Sequence, residues 1–410
     1  MRIAQVAPLY ESVPPTGYGG TERVVSHLTE ELVRQGHQVT LFAAGDSETA
    51  AELVPAWPCS LRLDASCVDQ LACHLVMLEE VFRRADQFDL IHFHVDYLHY
   101  PWSRRHPHPH LTTLHGRLDL PELPALYREY AEMPVASISD AQRRPLPHAH
   151  WQGTVYHGLP PDLHTFRDAE NPKHQIPNPN SQPGGLGFGA SDLGLPAKRD
   201  YLAFLGRISP EKRVDRAVEI ARRTGMKLKV AAKVDKNDRD YFREKVEPLF
   251  RDPLVEYLGE VGGAAKDEFL GNAYALLFPI DWPEPFGLVM IEAMACGTPV
   301  IAWRCGSVPE VMADGVTGFV VDNTDEAVAA VGRVAGLDRR GCRAEFERRF
   351  TAERMARDYV ALYRRVLNRW DDHSPRRRGG HGGKKTVLSS ARARRPAVVN
   401  DLSGRELTHE

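Results

Sequence analysis

The run Ala273–Pro279 is apolar on both faces, and no other stretch limits the possible folds so strongly. A strand without polar alternation belongs inside a parallel sheet covered on both sides. Parallel strands in turn need a crossover between them, and the next residues read as one. Pro283 and Pro285 break the chain, and Gly287 lets backbone come close to another group. An apolar helix is then expected from about Leu288 to Cys296, with Gly297 as its stop and Val300–Ala302 opening a new strand. This places two carboxylates, Glu284 and Glu292, beside one helix N-terminus at the carboxyl end of a strand. Open α/β sheets bind ligands at that edge.

The same grammar recurs along the chain. Ile3–Ala7 and Gln38–Ala44 read as strands around an amphipathic helix, Glu22 to Gln35, with Val24, Leu28 and Leu32 at fourfold spacing. The crossover between them is right-handed. Further strands are expected at Asp89–His94, Leu111–Gly116, Pro134–Ser139 and Gly153–His157, two of them running into histidine at the ligand edge. Asn, Pro and Gly then dominate 167–199, which reads as a linker or insertion. A second α/β half follows: strands at Tyr201–Leu205, Leu228–Ala232, Val255–Leu258 and Gly318–Val321, and a short helix at Ala264–Leu270. The expected organisation is an N-terminal Rossmann-like domain over 1–166, the linker, a C-terminal Rossmann-like domain over 200–350, a helix over 351–370 and a disordered basic tail over 371–410. The helix, with Met355, Tyr359, Leu362, Tyr363 and Val366 on one face, is a candidate to return to the first half.

Several functional classes fall away on composition. The formal net charge of −3 gives no reason to expect a nucleic-acid partner. No apolar run reaches the ~20 residues needed to span a bilayer, so no integral membrane segment is expected; the basic tail leaves peripheral membrane contact open. The six cysteines lack C-x-x-C or metal spacing, which suits reduced thiols in the cytoplasm. The histidines from His92 to His115 have no carboxylate or cysteine at ligand spacing, so no metal is expected.

The candidate site groups come from both halves. Gly19 and Gly20 precede a helix N-terminus, where free N–H groups and the dipole favour an anion. Their long preceding loop with Pro14-Pro15 departs from the dinucleotide fingerprint and weakens a nicotinamide oxidoreductase reading. His115 sits beside Gly116 at a strand end. In the second half, Ser209 reads as an N-cap with Pro210 at the first helical position, which puts Lys212 in a first turn that disfavours a cation. With Arg207 just upstream, a bound diphosphate would resolve that conflict; a solvent-facing Lys212 paired with Glu211 would tolerate it.

The stretch Glu284 to Ala302, in the form E-P-F-G-L-x-x-I-E-A-M-A-x-G-x-P-V-I-A, resembles the signature of the family 4 retaining glycosyltransferases with the GT-B fold. Gly17-Tyr-Gly-Gly-Thr-Glu-Arg-Val24, Thr113-Leu-His-Gly116, Gly206-Arg207 with Glu211-Lys212, and Gly315-Val-Thr-Gly-Phe319 fall in that family's order. The resemblance implies two doubly wound domains facing across a cleft. It also implies sugar transfer from a nucleotide-diphospho-sugar donor to a hydroxyl acceptor with retention, without metal or other cofactor. Glu292 would hold the ribose and Glu284 the transferred sugar, while amides of Phe286, Gly287 and Leu288 contact sugar or phosphate. Arg207, Lys212 and Gly20 would hold the diphosphate, His115 would lie near the sugar, and base contacts would fall near Val261. His157 stands where the family commonly has Asn. A sugar phosphorylase, a nucleotide-sugar epimerase or a non-catalytic nucleotide-sugar-binding module are the alternatives.

Overall fold

All described strands pair in parallel, and the pairing sorts them into two sheets. The computed structural model describes residues 1–17, 19–166 and 199–373. The first sheet contains β1 (Arg2–Val6), β2 (Gln38–Ala44), β3 (Glu52–Trp57), β4 (Leu90–Phe93), β5 (His110–Thr113), β6 (Val135–Ser137) and β7 (Trp151–Thr154), in the order β3-β2-β1-β4-β5-β6-β7. The second contains β8 (Tyr201–Arg207), β9 (Lys227–Lys233), β10 (Val255–Gly259), β11 (Ala275–Phe278), β12 (Val300–Trp303) and β13 (Gly318–Val321), in the order β10-β9-β8-β11-β12-β13. Strand order reverses between β1 and β4 and again between β8 and β11. Those are the topological switch points where such sheets open a crevice at their carboxyl ends. This is the GT-B arrangement of two Rossmann-like halves.

The central strands are buried on both faces, as their sequence demands. All four residues of β11 are buried, as are all four of β4, β5 and β12. The helix Leu288–Ala295 packs over β11 and β12 through Met290, Ile291 and Met294, so an apolar helix and an apolar strand cover one another.

Four departures from the sequence reading have physical causes. β3 escapes it because Pro55 lies inside the strand; proline cannot donate to a ladder, and β3 is accordingly an edge strand with a register shift beside Ala43 and Ala44. β7 ends at Thr154, so His157 lies on the loop beyond it. The helix expected from Pro210 is a 3-10 turn, Pro210–Lys212, and the α-helix runs from Val214 to Thr224. Arg213 between them has φ 53, a left-handed conformation that breaks the helix, and the Ser209 side chain makes no capping bond. Lys212 is therefore not in a first α-helical turn, and the dipole conflict inferred for it disappears. Finally, the segment 159–166, grouped by sequence with the first half, binds the second. Leu159 N–H donates to Phe350 O at 2.9 Å and Thr165 N–H to Asp267 Oδ1 at 2.8 Å.

Two devices join the halves. Glu310, from the second half, accepts N–H bonds from Asp140 and Ala141 at 2.7 and 2.6 Å, and the Tyr156 hydroxyl adds a third at 3.3 Å. The long helix Ala352–His373 follows the second half in sequence but packs on the first. Met355, Tyr359, Leu362, Tyr363 and Val366 sit against Ile3, Val24, Leu28, Leu90 and Leu111. Residues 1–370 form one unit; of 371–410 only the helix end through His373 is described. The expected linker up to residue 198 and the basic tail beyond 373 lie outside the described residues, as does Tyr18.

Met355 has no solvent exposure. Met355→Ala is expected to destabilise the protein by about 2–5 kcal/mol, the usual range for such a core truncation. Urea unfolding followed by tryptophan fluorescence measures it, and a loss below about 1 kcal/mol would show that this helix is not part of the first half's core.

Candidate active site

The carboxyl edges of both sheets line one cleft of about 1400 Å³. Every residue singled out from sequence borders it: Gly19, Gly20 and His115 from the first half, and Arg207, Lys212, Val261, Glu284, Phe286, Gly287, Leu288 and Glu292 from the second. Gly20 begins the helix Gly20–Arg34, and a Cβ placed there would lie 3.8 Å from Leu288 Cδ1, so the two helix N-termini meet across the cleft.

Gly287 is needed for its backbone. Its φ is 78, and an added Cβ would come within 2.8 Å of Met290 Cε and 3.2 Å of Phe278 Cζ. Only glycine takes that conformation without cost, and it turns the chain so that the helix Leu288–Ala295 starts at the cleft. Gly306 has a related task on the neighbouring loop. Its φ is 55, and a Cβ there would strike the Glu284 backbone at 2.3 Å. The Glu284 loop is fixed from below, with Ser307 N–H donating to Glu284 O at 3.0 Å and Ser307 Oγ–H to Phe286 O at 3.0 Å.

Both carboxylates are buried and both have a lysine. Lys212 Nζ donates to Glu284 Oε2, which also accepts from Trp282 Nε1 at 3.0 Å. Lys266 Nζ donates to Glu292 Oε1 at 2.6 Å. Burial alone would push the Glu292 carboxyl up, but the Lys266 ammonium, with lesser help from His164 and Arg23, overcomes it and holds the group below its ordinary range. Glu292 is therefore an anion at neutral pH. The Lys212 and Glu211 pairing considered from sequence does not form: Glu211 accepts from Arg207 at 2.7 Å instead, and Asp235 and Asp238 lie 3.6 and 3.5 Å from the same guanidinium.

Sequence reasoning missed two groups on the cleft, Lys266 and Asp96. Lys266 lies in the helix Gly263–Gly271, and only the fold brings it to Glu292. Asp96 sits just past β4 with φ 50, exposed on the cleft wall. His157, read from sequence as standing where the family commonly has Asn, lies on the same cleft with its ring 5.3 Å from that of His115 at an interplanar angle of 15° and 4.8 Å from that of Phe286.

Three of the clustered histidines, His92, His94 and His99, are bonded to protein partners. His92 Nε2 lies 2.7 Å from Thr113 Oγ1, His94 Nδ1 lies 2.8 Å from His115 Nε2, and His99 Nε2 lies 2.8 Å from Thr112 Oγ1. Among the described residues, one trio of possible metal ligands has donor atoms within 4.8 Å of each other: His164, Asp267 and Cys296. Its members also bond to one another, with His164 Nδ1 3.3 Å from Asp267 Oδ1.

Lys266→Met would leave a buried carboxylate without its main counter-charge, which typically costs about 3–5 kcal/mol. The sign with pH follows from Glu292. In the parent protein its carboxyl is depressed, so its stabilisation is complete above the unfolded value and is lost as pH falls through the folded one. In the variant, burial raises the carboxyl, so protonation relieves the penalty as pH falls. The gap in Tm between parent and variant should therefore narrow from about pH 8 to about pH 5. A gap that is constant or widens over that range contradicts the pairing.

The comparisons with known proteins agree with this geometry. Residues 18–152 match the model of Glycosyltransferase Family 4, and residues 190–337 match that of Glycosyl transferases group 1, together more than half of the chain. D-inositol 3-phosphate glycosyltransferase of Saccharomonospora viridis is 31% identical over 209 residues, which is 45% of this chain and 47% of that relative. The enzyme of the same name from Mycolicibacterium smegmatis is 24% identical over 411 residues, covering 91% of this chain and 92% of that one. In fold, the chain is similar to Anabaena HepE, solved in complex with UDP and glucose. The TM-score is 0.66 at 18% identity, with 89% of this chain and all of that one covered. A signature helix at the carboxyl edge of a second Rossmann-like sheet, facing a Gly-Gly helix start on the first, together with these matches, places the chain in the family 4 glycosyltransferases of the GT-B fold.

Proposed function

We propose that the protein moves a glycosyl group from a nucleoside-diphospho-sugar to a hydroxyl of an acceptor, with retention of anomeric configuration. The observation that carries this reading is the Lys212 to Glu284 ion pair inside the shared cleft. A carboxylate accepts hydrogen bonds from sugar hydroxyls, and an ammonium beside it meets the diphosphate oxygen that the sugar leaves. One pair thus spans the bond that breaks. Glu292, kept ionised by Lys266, suits the two hydroxyls of a ribose. Phe286, Gly287 and Leu288 offer amides at the helix start, where the dipole favours negative charge. Val261, in the loop after β10, borders the base end.

The charge change in the reaction is the loss of the sugar to a diphosphate, whose oxygen gains negative charge as the C1–O bond lengthens. Lys212 and Arg207 stabilise that charge from fixed positions, which is the largest contribution such a site can make. The acceptor oxygen bonds to C1 on the face the diphosphate leaves. Its proton passes to a leaving phosphate oxygen, so atoms and charge balance. Neither glutamate is available as a nucleophile in this scheme, because each is held by its lysine. No step in it calls for a metal ion. The acceptor approaches from the first half, along Tyr10, Asp96 and Tyr97. The UDP and glucose of HepE support the donor class.

No helix among the described residues is long and apolar enough to cross a membrane. The six free cysteines suit a reducing, cytoplasmic setting, with peripheral contact to a membrane-borne acceptor as one mode of access.

Lys212→Ala and Glu284→Gln are each expected to lower transfer at least about 100-fold, the scale for losing one preorganised electrostatic partner, while the far-UV CD spectrum stays unchanged. Turnover within a few-fold of the parent in either variant sinks the assignment. A thermal-shift series with UDP-, GDP-, ADP- and dTDP-sugars identifies the donor. A ligand at 100 times its Kd adds about 2.7 kcal/mol of stability, and no shift with any of them contradicts a nucleotide-sugar site. Product analysis with and without acceptor separates transfer from epimerisation, phosphorolysis and binding alone.

A further inference from the structure

His115 lines the cleft, yet its Nδ1 is buried and has no hydrogen-bond partner. Its Nε2 is fully engaged. Behind it runs a chain of buried polar groups that begins at His115 and ends on the C-terminal helix. His115 Nε2 lies 2.8 Å from His94 Nδ1, and His94 Nε2 lies 2.8 Å from Gln5 Oε1. The Gln5 amide nitrogen donates to Tyr363 Oη at 3.2 Å, and that oxygen lies 2.7 Å from His92 Nδ1. His92 Nε2 lies 2.7 Å from Thr113 Oγ1, which is 3.0 Å from Tyr359 Oη.

The direction of every bond in this chain is determined once Gln5 is placed. An amide oxygen can only accept, so His94 must carry its hydrogen on Nε2. Burial pushes His94 far below the ordinary histidine range and His115 down to about 3, so each ring is neutral and has one N–H. With its hydrogen on Nε2, His94 offers a bare Nδ1, and His115 must donate to it from Nε2. That leaves the His115 lone pair on Nδ1. The Gln5 nitrogen donates to Tyr363, Tyr363 donates to His92 Nδ1, and His92 donates to Thr113. Rotating the Gln5 amide by half a turn would reverse all these bonds and put the hydrogen of His115 on Nδ1.

We propose that Gln5 and His94 are positioning residues that hold His115 in its Nε2–H tautomer, so that Nδ1 accepts a hydrogen bond from a hydroxyl of the bound donor sugar. The hydroxyl rests on the function proposed above; the tautomer does not. Other buried ring nitrogens among the described residues also lack a partner, but His115 borders the cleft, where a ligand hydroxyl supplies the missing donor. Tyr363 orients Gln5, so the C-terminal helix takes part in setting the polarity of a group at the cleft. The arrangement is comparable to the partners that fix the tautomer of a ligating histidine, whose loss typically costs 10- to 100-fold.

The test reads the tautomer directly, in the free protein and without any sugar. Nitrogen NMR of ring-labelled histidine, with His115 assigned by loss of its signals in His115→Ala, is expected to show Nε2 protonated and Nδ1 bare. Gln5→Met removes the acceptor that orients His94. It is expected to bring in the second tautomer at His115 and to lower kcat by about 10-fold or more, with donor KM within about twofold. Tyr363→Phe, which leaves the Gln5 amide free to rotate, is the milder second variant and is expected to shift the same signals. The proposal is overturned by a proton on Nδ1 in the parent protein. It is equally overturned by a folded Gln5→Met in which both ring signals and kcat are unchanged. A protein with the expected tautomer and no transferase activity would keep the positioning claim and refute the function instead.

Discussion

Parallel pairing is the constraint on which the whole molecule turns. A strand can be joined by a parallel neighbour only after the chain has crossed back over the sheet. The carboxyl ends of all strands therefore share one edge, and the loops at that edge are free of the sheet's own hydrogen bonds. This happens twice here, in sheets of seven and six strands. Each sheet has a switch point beside its first strand, where neighbouring crossovers leave in opposite directions. Placing these two edges face to face yields a cleft lined by strand ends and helix starts, without any residue having been chosen for chemistry.

Chemistry enters where the cleft buries charge. An isolated carboxylate taken out of water is costly, and the structure meets that cost with one lysine per glutamate, Lys212 for Glu284 and Lys266 for Glu292. Paired in this way, the groups hold fixed directions before a ligand arrives, and Glu292 keeps its charge at neutral pH. The Arg207 guanidinium stands differently, half-buried among Glu211, Asp235 and Asp238. An anion reaching it would compete with three carboxylates already around the guanidinium.

The alternation of apolar runs with glycine-stopped helices made the two-sheet fold legible, because burial on both faces leaves its mark on every residue of a strand. Glu284 and Glu292 were legible for the same reason: a carboxylate inside an otherwise apolar helix and loop breaks a strong local pattern. Lys266 left no such mark, since a lysine on a short helix of mixed composition looks like any solvated one until the fold carries it to Glu292. Pro55 hid an edge strand that the fold tolerates because its outer side needs no partner. The start of the helix after β8 was misplaced because Ser-Pro is a sound helix opening; the left-handed Arg213 that interrupts it has its side chain bonded to its neighbour Asp215 and to the distant Asp281. Local sequence cannot announce a conformation that distant partners impose.

The histidines show the same limit from the other side. Read as a list, His92, His94, His99, His110 and His115 suggest metal ligands, because clustered imidazoles have few other uses in isolation. In the fold His92 and His110 stand on the adjacent parallel strands β4 and β5, with His94 and His115 just past their ends. Period-2 alternation sends His92 and His94 to one face, where the Tyr363 hydroxyl of the C-terminal helix meets His92 and Gln5 and the Tyr359 hydroxyl meets Thr113. A sheet face that buries imidazoles needs donors and acceptors in strict succession, and a helix returning from the far end of the chain supplies them. The helix that completes the apolar core of the first half thus also completes its polar one. The two tasks explain why its inward face carries tyrosines between Met355, Leu362 and Val366, where leucines would have served packing alone.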